Sequence, residues 1–223
     1  MATSSPIAYL APSATLGRRE RRRAEIRDRL FRAALQLFAE RGFLETTVED
    51  ITEAADVGKG TFFNYFPTKE HVLATFGAER LATIERALER AHKGPVLPVL
   101  KELATDLAGQ VHEKPALLRA IYAAHASCAP VRAELQKRLV VARRYLTEIF
   151  TLGQQHSEIR TDLPAAKLAR LTQLVLLGLT VSWALHPDAS LRATAAGAWD
   201  LLCPNLIADK KRRGLKHGRT SRT

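Results

Sequence analysis

The chain has 223 residues, and 46% of them are hydrophobic, which is enough for a large helical domain or for a small head on a larger body. No uninterrupted apolar stretch of about 18 residues occurs, and the first 16 residues lack the basic and apolar regions of a secretory signal. The two cysteines, Cys128 and Cys203, form no disulfide framework. We therefore expect a cytoplasmic protein that does not enter a membrane.

The formal net charge of +11 is concentrated in two segments of the chain. Residues 18–41 contain nine Arg and four acidic residues, and residues 209–223 contain seven Lys or Arg and one Asp, so that these segments account for the whole excess. Two basic segments favour a polyanionic partner, although a solvated surface would have the same composition.

Four helices are predicted in the first part of the chain. Apolar residues at three- and four-residue spacing predict a first helix from near Gly17 to Gly42. Thr47, followed by Asp50, is a capping-box start for a second helix that ends near Asp56. A third helix is predicted over 59–66, and a fourth begins at Pro67 and Thr68.

The rest of the chain predicts about five further helices, since apolar helical periods alternate with Pro or Gly. The breaks fall at residues 94–95, 114–115, 129–130, 163–164 and 186–187. No segment alternates in the manner of a strand. The predicted fold is all-α, with about nine helices.

The second and third helices form a candidate helix-turn-helix. Two short helices joined by a three- or four-residue turn allow one helix to enter a major groove while the other braces it. Ile51, Ala55 and Val57 suit the internal packing positions, and the third helix begins with the polar run 59–61. An ordinary helical hairpin would not require such a polar start.

The run from Lys59 to Glu70, Lys-Gly-Thr-Phe-Phe-Asn-Tyr-Phe-Pro-Thr-Lys-Glu, resembles the recognition-helix signature of the TetR family of bacterial regulators. The upstream patterns from Ala34 to Phe43 and from Thr47 to Val57 match the family at the same spacing. The sequence departs from the usual pattern at four positions, which are Asp56 in the turn, Gly58 at the cap, Phe63 in place of Tyr and Asn64 in place of His.

The resemblance implies several contacts to DNA phosphates. Thr47 and Tyr65 are expected to donate hydroxyl hydrogen bonds, and Lys69 lies where its ammonium and the start of the fourth helix both favour an anion. Arg22, within the basic run 18–23, is expected to reach phosphate or the adjacent minor groove.

The resemblance also implies which residues face the bases. Lys59 and Thr61 are expected in the major groove, and Gly60 allows the backbone to approach the DNA closely. Asn64 suits adenine or a phosphate, and the ring of Phe63 suits a thymine methyl group.

Family resemblance further implies a homodimer built from the last two helices, with two reading heads about 34–36 Å apart on a palindromic operator of double-stranded DNA. The residues expected at that interface are Leu168, Leu171, Val175, Leu179, Leu191, Ala195, Trp199 and Leu202. The alternative is that these faces close the protomer's own core.

A ligand cavity between the fourth and eighth helices is implied as well. The residues expected to line it are Phe76, Tyr122, His125, Tyr145 and Trp183. Because charge is balanced in the body, we expect a small, mostly apolar effector that tilts the fourth helix and releases a repressor from its operator. We expect no cofactor and no metal.

These expectations divide the chain into four parts. Residues 1–17 form a disordered arm, 18–67 the helix-turn-helix domain, 68–208 the effector-binding and dimerisation domain, and 209–223 a basic disordered tail.

Three other functions have less support in the sequence. Enzymatic activity is not expected, because no metal-ligand spacing, phosphate loop or nucleophile elbow occurs. A thiol redox sensor would use Cys128, three residues after His125, and a non-specific nucleic-acid binder would use the basic tail.

Overall fold

The computed structural model describes residues 17–110 and 114–208. Within these ranges the chain forms helices and no strand, apart from one isolated antiparallel bridge between Ile159 and Ile207. The helices are α1 (Arg18–Arg41), α2 (Val48–Ala54), α3 (Lys59–Phe63), α4 (Lys69–Ala91), α5 (Val96–Gly109), α6 (Pro115–Ser127), α7 (Ala129–Gln155), α8 (Ala165–Leu185) and α9 (Leu191–Leu206). The all-α prediction is confirmed. The predicted arm, up to residue 16, and the predicted tail lie outside the described residues.

Helix α1 begins and ends as the sequence predicts. The Glu20 carboxylate accepts a hydrogen bond from the backbone N–H of Gly17, 3.1 Å away. Gly42 ends the helix with a φ of 89°, a conformation that residues with a side chain rarely adopt. One face of α1 is buried at helical spacing, through Leu30, Phe31, Ala34, Leu37 and Phe38.

The turn after α2 tolerates the unusual Asp56. This residue has a φ of 50°, and Asp enters the left-handed region at less cost than most side chains. Helix α3 is three residues shorter than predicted. The N–H groups of Asn64 and Tyr65 bond to carbonyls three residues back, which tightens the helix end before Pro67.

Two core clusters lie along the length of α4. The first contains Phe62 and the buried face of α1, and it extends to the start of α4 and to α6 through residues such as Leu117 and Ile121. The second joins the last half of α4 to α5, α7 and α8. Helix α4 therefore connects the core beneath α3 with the core of the body.

Helix α8 leaves a large part of its apolar surface exposed to solvent. Among the described residues it is the one helix whose length and mean hydropathy of 1.5 match a membrane-spanning segment, and 28% of its most apolar window is buried. This match rests on length and composition alone. Exposed apolar residues on a helix are equally expected where two copies of a protein meet.

Candidate nucleic-acid interface

Helix α3 presents one solvent-facing surface. Lys59, Gly60, Phe63 and Asn64 are exposed, and Thr61 is half-buried. The side chain of Phe63 is 48% exposed, which is unusual for a large apolar residue. The predicted base-facing residues therefore lie on the accessible part of the helix.

Buried rings hold this surface in position. Phe62 is fully buried, and its ring centroid lies 5.5 Å from that of Phe63 and 5.7 Å from that of Phe66. Phe66 is buried as well. Since both anchors sit in the first core cluster, the orientation of α3 follows from the packing of α1 and α4 beneath it.

Lys59 forms an ion pair with Glu49 of α2. The hydrogen bond from Lys59 is the main cause of the lowered pKa of the Glu49 carboxyl. Both side chains are exposed, so the pair is solvated and is worth little in stability. In the absence of DNA, the ammonium predicted to face the groove is therefore neutralised by a neighbouring acid.

Thr47 caps α2 as predicted, but its hydroxyl has a different partner from the predicted phosphate. It donates to Asp50 Oδ2 over 2.6 Å and accepts from the Asp50 N–H over 3.1 Å. The backbone N–H of Thr47 also donates to Asp50 Oδ2, 2.8 Å away. The hydroxyl predicted to contact phosphate is thus used within the chain in this structure, and the phosphate contact of Thr47 stays a prediction.

Lys69 is likewise engaged inside the protein. Its ammonium donates to the carbonyl oxygens of Phe43, Leu44 and Thr46 over 2.8, 3.1 and 2.8 Å. An ammonium has three donors, so none remains for a phosphate. In this structure Lys69 ties the start of α4 to the turn between α1 and α2, and its phosphate contact stays a prediction.

The aromatic end of α3 contacts the basic face of α1. The guanidinium of Arg23 lies 6.0 Å from the ring centroid of the half-buried Tyr65, and that of Arg27 lies 5.8 Å from the ring centroid of Phe66. Arg22 is exposed beside them. The sequence indicated an arginine-rich arm but not these two ring contacts, which depend on how α1 crosses α3.

A cavity of about 450 Å³ lies inside the body. It is lined by α4, α6, α7 and α8 and by Leu107 of α5. Phe76, Tyr122 and His125 line it, as predicted. Burial lowers the pKa of His125, and the nearby charge of Arg138 lowers it further. The Nδ1 atom of His125 is buried without a hydrogen-bond partner among the described residues.

Tyr145 and Trp183 do not line this cavity, so their predicted role is corrected. The Tyr145 hydroxyl donates to Glu85 over 3.3 Å. The indole N–H of Trp183 donates to the carbonyl of Ala189, and the ring packs in a small cluster formed by α5, α6, α8 and α9. Arg80 and Arg138, which the sequence did not single out, lie on the cavity wall instead.

The predicted dimer residues fall on two sides of their helices. Leu168, Leu191 and Ala195 are buried in the chain's own core, so these three are corrected, whereas Trp199 packs against the second cluster and is half-buried. Leu171 and Leu202 are exposed, and Val175 and Leu179 are half-buried. The exposed side of α8 is a stripe formed by Leu171, Leu174, Gly178, Val181 and Leu185.

The described residues also bear on a metal site and on the redox role considered for Cys128. Over the described ranges, no group of three His, Cys, Asp or Glu residues is placed to hold a metal ion. Cys128 is half-buried at the junction of α6 and α7, where it packs against the first core cluster. Its position suits the packing role of a small apolar residue.

The N-terminal part of the chain, which contains α1 to α3 and the start of α4, matches known regulators. The family model described as bacterial regulatory proteins, tetR family, matches residues 30–75. The transcriptional repressor DhaR of Mycobacterium sp. (strain GP1) is 41% identical over 78 residues, which are 33% of this chain and 39% of the relative. The regulator TcmR of Streptomyces glaucescens is 42% identical over 73 residues, which are 33% and 32% of the two chains. The chain therefore covers less than half the length of these curated relatives.

The solved structures extend the likeness to the body. The TetR-family repressor FadR of Thermus thermophilus is 32% identical, with a TM-score of 0.55, over 79% of this chain and 92% of its own. The chain belongs to the TetR family. FadR of Bacillus halodurans, at 21% identity, covers 80% of this chain and 94% of its own with a TM-score of 0.69, and it supports the same TetR-family fold.

Proposed function

We propose that the protein is a cytoplasmic, homodimeric transcriptional repressor that binds a palindromic DNA operator and is released by a small, mostly apolar effector. The observation that carries the DNA-binding part is the exposed surface of α3, with Phe63 and Asn64 in solvent and Phe62 fully buried behind them. Apolar and amide side chains displayed together on a short, firmly held helix suit base edges in a major groove.

The contact surface is wider than α3. Arg22 and the N-terminal part of α1 supply positive charge beside Tyr65, and charge of this kind strengthens binding to any phosphate backbone. Lys59 joins them once it leaves Glu49. Thr47 and Lys69 support the surface from within, by capping α2 and by holding the α1–α2 turn.

Selection of bound fragments from a random duplex pool, at about 150 mM salt, tests this proposal. The wild-type protein should recover a palindrome. Phe63→Ala and Asn64→Ala should blur or lose it, because each removes a base-facing group worth roughly 1–3 kcal/mol. Lys137→Ala, at an exposed position on α7, is the control and should recover the same sequence. Recovery of sequence-independent binding alone would contradict the proposal.

A second copy of the chain is the proposed occupant of the exposed stripe on α8. Its members recur at intervals of three and four residues, the spacing of a seam between two helices. Gly178 in the middle leaves open space where a side chain would be, which allows two helices to approach closely. Leu201 and Leu202 of α9 add exposed apolar surface near the end of the chain.

Sedimentation equilibrium of Leu174→Asp tests the dimer. Leu174 is 56% exposed, so the substitution should leave the protomer folded and shift the protein to monomer. Val140→Asp is the matched control, since Val140 is 65% exposed on α7 and lies outside the stripe. A Leu174→Asp protein that remains dimeric would exclude this face.

The cavity is the proposed effector site. Its volume is within the range of small-molecule pockets, and most of its lining residues are apolar. The Thermus thermophilus FadR structure contains lauroyl-CoA and that of Bacillus subtilis FadR contains stearoyl-CoA, which supports an effector with an apolar chain. Because α4 contributes both to the cavity wall and to the core beneath α3, a ligand that moves α4 also moves the head.

Titration of the operator complex with candidate effectors tests the release. An effector should weaken operator binding about 5- to 150-fold, the usual range of coupling between two sites. Leu135→Trp, which fills part of the cavity wall, should bind the operator normally and respond less. A compound that binds the body without changing operator affinity would contradict the coupling.

A further inference from the structure

Among the described residues, the cavity wall carries an arginine, Arg80, without an ion-pair partner. Arg80 projects from the middle of α4, and within the described part of the chain no carboxylate lies within ion-pair distance of its guanidinium. Its Nη1 donates to the carbonyl of Leu107, 2.9 Å away. Of the five N–H donors of the guanidinium, this is the one with a hydrogen-bond acceptor among residues 17–110 and 114–208.

The environment explains how the charge is tolerated without an acid. Leu107 lies in the last turn of α5, where the carbonyl end of a helix is partly negative. The ring centroid of Phe76 lies 6.0 Å from the guanidinium carbon. Burial nevertheless lowers the pKa of Arg80, which reflects the cost of desolvating the cation.

Apart from His125, whose buried Nδ1 has no partner among the described residues, the principal polar side chains on the wall are paired within the chain. Arg138 donates to Glu134 over 2.9 Å. The hydroxyl of Thr180 donates to the carbonyl of Leu177, so the Tyr122 phenol, which is hydrogen-bonded to Thr180, acts as the donor in that pair. Gln173 exchanges hydrogen bonds with Arg143 and the carbonyl of Leu139. Among the described wall residues, Arg80 is thus the arginine without an acid partner.

We infer that the effector is an amphipathic carboxylate, with an apolar chain in the cavity and its carboxylate paired with Arg80. A carboxylate matches the planar guanidinium in geometry and supplies the missing negative charge inside a low-dielectric cavity. Leu73, Ile84, Leu146 and Leu176 provide apolar wall for the chain. The inference rests on the proposed effector-responsive function and refines the expectation of a mostly apolar ligand by adding one charge.

Calorimetric titration of the purified full chain with probes of equal length tests the head group. The probes are dodecanoate, dodecanol and dodecyltrimethylammonium, each below its micelle concentration. Wild type should bind dodecanoate about 10- to 100-fold more tightly than the other two, as a charge-assisted hydrogen bond would give. Equal binding of dodecanol, or absence of dodecanoate binding, would overturn the inference.

Substitutions assign the preference to one residue. Arg80→Met should lose the preference for dodecanoate, and Arg80→Lys should retain most of it. Arg86→Met is the matched control, because Arg86 is two turns away on α4 at an exposed position and bonds to Thr83 outside the cavity. An Arg80→Met protein that still prefers dodecanoate would overturn the inference. If Arg80→Met does not fold, Arg80→Lys and the three probes on wild type decide it.

Operator affinity, measured without ligand for every variant, separates this inference from the proposed function. Lauroyl-CoA is added as a fourth probe. If it binds and releases the operator while dodecanoate does not bind, the carboxylate pairing is wrong and the apolar effector stands. If the wild-type protein binds no operator in the absence of ligand, the proposed function itself is wrong.

Discussion

The ammonium of Lys69 lies 2.8 Å from the carbonyl oxygen of Phe43 and 4.7 Å from the centroid of its ring. The same ammonium bonds to the carbonyls of Leu44 and Thr46. One side chain therefore satisfies three acceptors of the turn that positions α2. Lys69 therefore helps to hold α1, α2 and α4 together.

Lys69→Met should lower the free energy of unfolding by about 1.5–3 kcal/mol, because part-buried carbonyls lose a charged donor. Urea denaturation measures the change. The surface substitution Lys137→Met is the control and should leave stability within about 0.5 kcal/mol of wild type. A Lys69→Met protein of unchanged stability that binds the operator weakly would contradict this structural role and support the phosphate contact.

Glu49→Gln should strengthen operator binding by about two- to fivefold, since Lys59 no longer has to leave an ion pair before it reaches DNA. Fluorescence anisotropy with a labelled operator measures the affinity. Glu53→Gln removes the same charge from an exposed position on α2 without freeing Lys59. If both substitutions strengthen binding equally, the gain comes from net charge and the ion pair has no role.

Asp50 should make the stability of the helix-turn-helix region sensitive to acid. The Thr47 hydroxyl and backbone N–H hold the pKa of the Asp50 carboxyl below its ordinary value of 3.8. A lowered pKa in the folded state stabilises the protein above the unfolded value, and that contribution is lost as the pH falls through the lower, folded value. The thermal midpoint of wild type should therefore fall more steeply below about pH 4 than that of Asp50→Asn. If the thermal midpoints of the two proteins fall in parallel with pH, this account of the α2 cap is wrong.

Gly153→Ala should destabilise the body by about 1–3 kcal/mol through overpacking. A Cβ at this position would lie 2.5 Å from Ile159 Cδ1 and 3.2 Å from Val96 Cγ1, which are core atoms. At Gly109 a Cβ would meet the guanidinium of Arg192, an exposed side chain that can swing away. Gly109→Ala is thus the matched control and should keep its melting temperature, as calorimetry can show.

The sequence predicted the helices of the head well because their signals are local. The capping box at Thr47, the turn at Asp56 and the glycine after α1 each act within a few residues. It did not predict the partners of Lys69, since three carbonyls that converge from a turn 23–26 residues upstream leave no pattern in the chain. The phosphate role had been inferred from position in a motif, whereas the partner depends on tertiary packing.

The body was predicted less well for a different reason. Helix α8 is apolar on nearly all sides, so periodicity cannot tell the side of Leu168, which faces the core, from the side of Leu171, which faces solvent. Arg80 was missed because a charged residue on an amphipathic helix is ordinarily assigned to the solvent side. Its position on a cavity wall depends on the crossing of α4, α6 and α7.

The core cluster that supports α3 does not end at residue 67. It includes Val72 and Phe76 of α4 and Leu117 and Ile121 of α6, so part of the body completes the interior of the head. Residues 18–67 therefore do not form a structural unit that can be transferred to another protein alone. A chimera that joins them to the body of another regulator would expose this apolar face unless the α4 and α6 surfaces of this chain were transferred with them. A new operator preference is therefore better engineered on the exposed face of α3 alone.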